Sequence, residues 1–279
     1  MDKNYGSLYI VSTPIGNLDD ITLRAIEVLN NVDICAAEDT RKSKILFNKY
    51  NIKTKLTSYH KFSEKSKSPT IIDNLKSGMD VALISDAGTP LISDPGKYLL
   101  DAAIENEIRV IPVPGATSVI TALIVSGFNL DSFCFYGFFP RQKKQQAKIL
   151  NHLSLSDQTS AFFESGKRIE KMLEMLSSHL PKTHNILVAR EITKIHETFY
   201  RGEIAKVIKD LNDSEFGKKG EFVVVIEGRS LEKDSEVSDD DLRILEILLE
   251  KLDKKLAFEL ASKILNKKRN DIYKIKIKS

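Results

Sequence analysis

The chain has no tryptophan and only two cysteines among its 279 residues. Cys35 and Cys134 each sit in an apolar, strand-like run, so burial explains them better than reactivity. Two such cysteines build no disulfide framework and no zinc-ligand spacing, which fits a reducing cytoplasm. Net charge is scarce as well: 42 Lys and Arg stand against 39 Asp and Glu, a formal +3. Bulk charge therefore does not announce a nucleic-acid binder, and only local clustering could. Long apolar runs are missing too. The stretch from Ala116 to Phe128 is interrupted by Thr117, Ser118, Thr121 and Ser126. It is too short to span a bilayer and reads as a buried helix, so no membrane partner is expected. Met1 to Gly6 shows no signal-peptide pattern.

Several catalytic signatures are absent. No Gly-x-Gly-x-x-Gly follows the first apolar run, and no Walker A loop occurs. The five histidines, His60, His152, His179, His184 and His196, form no metal-ligand pattern, and none adjoins a nucleophile elbow. No metal is expected.

What is present is alternation. Short apolar strands at Leu8–Val11, Asp33–Ala37, Leu56–Ser58, Val81–Ile84 and Arg109–Val113 take turns with helical patterns. The spacing predicts helices over Asp20–Asn30 with Asp19 or Asp20 as N-cap, Thr40–Tyr50, Pro69–Ser77, Lys97–Glu107 and Ala116–Ser126. Such alternation implies right-handed crossovers and a parallel sheet. From Asn129 the texture changes. Strands rich in aromatic and β-branched residues, at Phe133–Phe139, Thr159–Glu164, Ile186–Glu191, Glu197–Arg201 and Glu221–Gly228, suggest a mixed sheet. A charged linker, Ser230–Asp241, leads to a helical tail that includes Asn270–Ile277. The expected architecture is α/β: a mainly parallel first sheet in a domain over 1–115, a mixed second sheet in a domain over 116–230, and a small helical C-terminal region over 231–279.

Open parallel sheets bind ligands beyond the carboxyl ends of their strands. Four unusual loops fall there: Ser12–Asn17, Glu38–Arg41, Ser85–Gly96 and Pro114–Ser118. In the third, Ser85-Asp86-Ala87-Gly88 is echoed by Ser93-Asp94-Pro95-Gly96. Gly88, Gly96 and Gly115 permit close backbone approach, while Pro14, Pro90 and Pro114 stiffen the loops. Backbone groups displayed this way suit a flat polar ligand such as a nucleoside, though well-made turns give the same pattern. Asp94, just ahead of Pro95, reads as the N-cap of the following helix, and Asp86 reads equally as an Asx turn or a ligand residue.

The motifs in combination carry a resemblance. Ser12 to Ala25 resembles the opening motif of the tetrapyrrole methylase superfamily in its ribosomal-RNA form. Glu38–Arg41, Ser85–Gly96, Val113–Ser118, Gly137–Arg141, His196–Gly202 and Lys219–Phe222 follow in that family's order. Together they are similar to the family of small-subunit ribosomal RNA 2′-O-methyltransferases that modify a decoding-centre cytidine in 16S RNA. The resemblance covers nearly the whole chain. It implies S-adenosylmethionine as methyl donor, bound in a cleft between two α/β domains, and a homodimer. Carried over by position, the cofactor site uses Pro14, Asp86, Ala87, Gly88, Thr89, Ile92, Thr117 and Ser118. The second domain adds Phe163, Ala189, Arg190 and Glu191. Two stretches depart from the family pattern: Gly166-Lys167 replaces Pro-His, and Lys61-Phe62 stands where His-Asn-Glu is usual.

A ribose hydroxyl is a poor nucleophile, so a nearby base helps by taking its proton. Glu38 and Asp39, at a strand end beside the expected cleft, are candidates, as is Glu191. Arg41 or Arg190 could hold a neighbouring phosphate. An N-cap with an ion pair at the following helix is the competing explanation for Asp39 and Arg41. Two basic clusters could meet RNA: Arg141, Lys143 and Lys144 with Lys148, and the tail's Lys267, Lys268 and Arg269 with its neighbouring lysines. The expected partner is small-subunit ribosomal RNA or the assembled subunit. Methylation of a tetrapyrrole or diphthamide precursor, or a non-catalytic RNA-binding assembly module, are the alternatives.

Overall fold

Apolar runs of four residues are too short to stand alone, and they gain stability by lining up edge to edge under helices. In the computed structural model, which describes residues 4–215, 218–229, 239–265 and Ile272, five of them do so. The strands β1 (Leu8–Val11), β2 (Ile34–Ala37), β3 (Lys55–Ser58), β4 (Val81–Ile84) and β5 (Val110–Val113) form an all-parallel sheet in the order β3-β2-β4-β1-β5. Between them run α1 (Leu23–Asn31), α2 (Thr40–Lys49), α3 (Glu64–Lys76) and α4 (Lys97–Glu105). Both faces are covered. Ala25, Leu29 and Phe47 close one side over Val11, Cys35 and Ile84. Ile71, Leu75, Leu99 and Ala103 close the other over Leu8, Ile10 and Leu83. That double cover explains why β4 reads as unbroken Val-Ala-Leu-Ile, all four buried. It also buries Cys35 completely, and desolvation pushes its thiol far above the usual range.

A second, mixed sheet has the order β6-β7-β10-β8-β9. Its strands are β6 (Phe133–Phe138), β7 (Thr159–Ser165), β8 (Asn185–Arg190), β9 (Thr198–Glu203) and β10 (Glu221–Ile226). β6 and β7 are parallel; the other neighbours are antiparallel. The helices α6 (Lys143–Leu153), α7 (Ile169–His179) and α8 (Ile204–Asn212) pack on one face around Phe162, Leu173, Val188 and Val224. On the other face lies α5 (Ser118–Ile124), through Val119, Ala122 and Leu123.

The chain divides into two compact units, residues 1–228 and 229–279. In the second, α9 (Asp239–Lys251) and α10 (Lys254–Ile264) meet through Leu245, Phe258 and Ala261, with Ile272 buried against them. Asp253 caps α10, accepting from the amides of Lys255 and Leu256 at 3.0 and 3.1 Å. The helix expected over Asn270–Ile277 lies outside the described residues, Ile272 apart.

The starts of α1, α3 and α4 are built differently from the sequence expectation, and α5 begins at Ser118 rather than Ala116. α1 begins at Leu23, not Asp20, because Thr22 is its cap and accepts from the Ala25 amide at 3.0 Å. Asp19 instead sits in a short 3₁₀ turn, Leu18–Asp20, and pairs with Lys49. α3 begins at Glu64, five residues before Pro69, which the helix accommodates internally. The start of α4 is capped by Gly96 at φ 131°, not by Asp94, and the Gly96 amide donates to Glu64 Oε1 at 2.6 Å. No side chain caps this helix start, and Asp94 stands in the loop before it.

Candidate functional site

The rim loops of the parallel sheet are stitched together. Thr13 and Gly88 exchange backbone hydrogen bonds of 2.9 and 3.0 Å. The hydroxyls of Ser12 and Thr89 lie 3.0 Å apart, and Thr89 Oγ1 donates to the Ala116 carbonyl at 3.4 Å. The loops after β1, β4 and β5 therefore form one surface. Gly88 makes the pairing possible: its φ is +76°, and a Cβ there would meet Ile15 Cγ2 at 3.2 Å.

The second sheet supplies the facing wall. The end of β7, the start of β10 and the loop after β8 bring Phe163, Glu221, Val223 and Glu191–Lys194 opposite the rim. The two walls meet at the loop after β1: the Asn17 amide donates to Thr193 Oγ1 at 3.0 Å. Between them lies a cavity of about 380 Å³. That volume sits in the range of small-molecule sites, roughly 300–1,000 Å³. Its lining joins apolar Ile15, Ile92, Phe138 and Phe163 to Thr89, Ser93, Asp94, Ser118 and Glu191. Phe163 is held edge-on to Phe135 and Phe138, with centroids 4.8 and 5.5 Å away.

Backbone strain gathers at this cavity. Ser93 and Glu191, on opposite walls, have φ of 70° and 50°, and the nearby Leu91 and Thr193, outside the lining, have 75° and 64°. Left-handed backbone at non-glycine residues is held only by its surroundings and clusters at functional sites. Glu191 is held by the Glu221 amide at 2.8 Å and by Lys194 Nζ at 2.9 Å, and Lys194 also reaches Glu221 at 2.9 Å. These partners outweigh the partial burial of Glu191 and keep its carboxyl below the usual range.

Of the residues expected from sequence to hold a cofactor, the cavity brings together Ala87, Gly88, Thr89, Ile92, Thr117, Ser118, Phe163 and Glu191. Pro14 and Asp86 stand beside the lining rather than in it. Ala189 faces the interior packing of the second sheet. Arg190 is buried, donating to the carbonyls of Lys219 at 2.7 Å and His196 at 2.9 Å, so it holds the wall together and is not free to grip a phosphate. Sequence reasoning missed Ile15, Ser93, Asp94, Phe138, Lys194 and Glu221. Ser93 and Asp94 carried a signal in the repeated Ser-Asp-x-Gly, which helix capping obscured.

The neighbouring strand end holds Glu38 to Arg41. Asp39 is the N-cap of α2, accepting from the Arg41 amide at 2.9 Å, and its carboxylate takes Arg41 Nε at 3.0 Å and Nη2 at 2.7 Å. The Arg41 contacts hold the Asp39 carboxyl well below the ordinary range, so its geometry is that of a helix cap paired with Arg41. Glu38 differs. Burial, and behind it the charge of Asp86, push its carboxyl up. Asp86 accepts from the Asp39 amide at 2.9 Å and pairs with Lys42 at 2.6 Å. Arg141, Lys143 and Lys144 are exposed at the start of α6, whereas Lys267, Lys268 and Arg269 lie outside the described residues.

Fold and cavity together define a class: a two-sheet α/β protein with a small-molecule site between the carboxyl rim of a parallel sheet and a mixed sheet. The family is specific. Residues 7–208 match the model of the Tetrapyrrole (Corrin/Porphyrin) Methylases, and the chain belongs to that family. The chain is 40% identical over 273 residues to the Ribosomal RNA small subunit methyltransferase I of Escherichia coli O157:H7, covering 98% of this chain and 95% of that one. Its identity to the protein of that name from Haemophilus influenzae is 42% over 269 residues, covering 96% and 95%. Among solved structures, diphthine synthase shares the fold with a TM-score of 0.63 at 14% identity, covering 80% of this chain and 90% of that one. Uroporphyrin-III-C-methyltransferase from Thermus thermophilus does so with a TM-score of 0.57 at 18% identity, covering 80% and 94%. Among the described residues no helix is long and apolar enough to cross a membrane.

Proposed function

We propose that the protein is a methyltransferase that uses S-adenosylmethionine to methylate the ribose 2′-hydroxyl of a decoding-centre cytidine in small-subunit ribosomal RNA. The observation that carries this reading is the strained, two-walled cavity beside the Glu38–Arg41 strand end, in a chain about 40% identical to small-subunit ribosomal RNA methyltransferases. The residues present fit the cofactor. The cavity is large enough for a folded nucleoside-sized ligand, apolar side chains stand on both walls, and Asp94 and Glu191 favour a cation. Ala87, Gly88, Thr89, Ile92, Thr117, Ser118, Phe163 and Glu191 would hold it. When bound, it supplies an electrophilic methyl group and a good leaving group.

The chain's task is then to present the hydroxyl in line and to exclude water. Glu38 shapes the acceptor side. Arg41, whose side chain is 88% exposed, points a guanidinium anchored by Asp39 into solvent, where a backbone phosphate can reach it. Arg141, Lys143 and Lys144 extend a positive surface for RNA. The working organisation is a domain over 1–115, a second over 116–230 and a helical region over 231–279, assembled as a cytoplasmic homodimer.

Mapping ribose methylation on small-subunit RNA from a strain with and without the gene tests the reading, followed by addition of purified protein to RNA and to assembled subunits. One 2′-O-methyl group should depend on the gene. Glu38→Gln and Arg41→Ala should lose methylation and keep cofactor affinity by calorimetry. An unchanged methylation pattern in the deletion strain overturns the proposal.

A further inference from the structure

Phe62 is a phenyl ring left in solvent. Its exposure is 95%, against 56% for Phe138, the next most exposed aromatic residue among the described residues. Local structure fixes it there. β3 ends at Ser58, in register with Ala37 at the end of β2, and the Tyr59 amide donates to the Ala37 carbonyl at 2.7 Å. Tyr59 then turns inward, fully buried, with its hydroxyl 2.9 Å from Ser68 Oγ. The next four residues close a turn on themselves. The His60 carbonyl accepts from the amides of Ser63 and Glu64 at 2.7 and 3.1 Å. The buried Ser63 hydroxyl accepts from the His60 amide and donates to the His60 carbonyl, each at 3.0 Å. Lys61 and Phe62 form the tip of that turn, both exposed.

The turn is anchored beyond its tip as well. Lys67 Nζ donates to the Ser58 carbonyl, and Glu64 accepts from the Gly96 amide at 2.6 Å. A ring carried on such a turn loses little freedom when a partner covers it. The turn adjoins the Glu38–Arg41 strand end, and His60 is near enough to Glu38 for its charge to act on that carboxyl. The surroundings are cationic. Lys61 and Lys65 are exposed and make no ion pair among the described residues, and exposed Arg41 stands at the neighbouring strand end. Among the described residues the only ring that meets Phe62 is His60, with centroids 6.3 Å apart and planes at 63°, so no second ring is stacked on it. A lone ring is a small apolar patch beside a stable protein interface, which buries about 800 Å² per partner. With lysines around it, the ring matches an unpaired nucleobase: the base stacks on the phenyl face while neighbouring phosphates meet the cations.

We propose that Phe62 is the stacking platform for an unpaired base of the RNA strand next to the nucleotide being methylated. The inference rests on the methyltransferase reading above and adds to it a residue that grips the substrate. Stacking on Phe62 fixes where the strand crosses the rim, so that the adjoining ribose faces the cavity beside Glu38. Every base has a π face, so Phe62 sets the position of the strand and not the identity of the base. Lys61 supplies a phosphate contact beside the ring. Lys61-Phe62 is one of two stretches in which this chain departs from the family pattern, so the grip belongs to this chain.

The test uses the intact chain with small-subunit RNA and subunits from a strain lacking the modification. The chain has no tryptophan, so Phe62→Trp places a single indole at the tip of the turn. Its fluorescence should be quenched by protein-free small-subunit RNA and left unchanged by S-adenosylhomocysteine alone. Phe62→Ala and Phe62→Leu should weaken RNA binding about five- to a hundredfold and raise KM for subunits. Phe62→Tyr, which keeps a flat ring, should rescue both. Calorimetric affinity for S-adenosylhomocysteine should hold in all of them. The salt dependence of RNA affinity should hold too, because a stacked ring neutralises no phosphate; Lys61→Ala should reduce that slope instead. Wild-type RNA affinity in Phe62→Ala overturns the inference, as does a leucine that serves as well as tyrosine. An indole that stays bright in a sample that binds RNA also overturns it. So does a change in the sedimentation of Phe62→Ala with RNA affinity intact, which assigns the ring to a contact between copies. A wild-type protein that methylates no ribosomal substrate overturns the underlying reading instead.

Discussion

The backbones of Thr13 and Gly88 exchange two hydrogen bonds, of 2.9 and 3.0 Å, and so lock the loop after β1 to the loop after β4. Both loops leave the carboxyl ends of neighbouring strands, and neither is regular structure by itself. The bridge converts them into one wall of the cavity, and it depends on a residue free to adopt φ of +76°.

Gly88→Val should therefore weaken the cofactor site before it harms the fold. A side chain in left-handed backbone costs roughly 1–2 kcal/mol, and this one would also meet Ile15 Cγ2 at 3.2 Å. Affinity for S-adenosylhomocysteine, measured by calorimetry, should fall about tenfold or more, since each 1.4 kcal/mol is a factor of ten. Far-ultraviolet circular dichroism should stay unchanged.

Much of this arrangement was legible beforehand. The parallel sheet followed from apolar runs such as Val81–Ile84 alternating with helical spacing, and the rim loops followed from the sheet. Gly88 was visible because glycine and proline punctuate its loop, and Thr89 followed from the family resemblance. What stayed hidden was side-chain allegiance. Asp39 and Asp94 look alike in sequence, one and three residues ahead of a helix, yet Asp39 caps α2 while Asp94 lines the cavity. The choice is made by Gly96 and Glu64, the latter 32 residues away, and no local pattern reports it. Arg190 is a similar case: the resemblance put it in the site, while its guanidinium donates to the carbonyls of Lys219 and His196.

Asp39 should reveal its role through pH. Its contacts with Arg41 lower its folded-state value below the unfolded one. The stabilisation they give is therefore present above about pH 4 and is lost progressively as pH falls below that. Asp39→Ala should lower the urea midpoint at pH 7. The gap between wild type and variant should narrow as pH falls from about 4 toward 2.

The basic start of α6 carries a salt-dependent prediction. Lys143 and Lys144 are exposed on the first turn, with Arg141 just before it. Lys143→Glu with Lys144→Glu should weaken binding to small-subunit RNA without altering cofactor affinity. The slope of log affinity against log salt should shrink by about 0.7–0.9 for each phosphate contact removed. Filter binding from about 50 to 200 mM salt measures it. An unchanged slope would place RNA elsewhere.

Arg168 is a structural anchor whose loss should be costly. It pairs with Glu164, whose side chain is 1% exposed, at 3.1 Å, and donates to the Phe139 carbonyl at 2.6 Å. One Glu164 oxygen, Oε1, is satisfied by the Ser165 amide at 2.8 Å, so Oε2 relies on Arg168. Arg168→Met leaves that buried carboxylate without its cation, a change worth about 3–5 kcal/mol. Adding Glu164→Gln to the same chain removes the stranded charge and should restore part of the loss. Urea unfolding of the wild type, both single variants and the double variant closes the cycle. A coupling near zero would mean that Arg168 acts through the carbonyls of Phe139 and Pro140 rather than through Glu164.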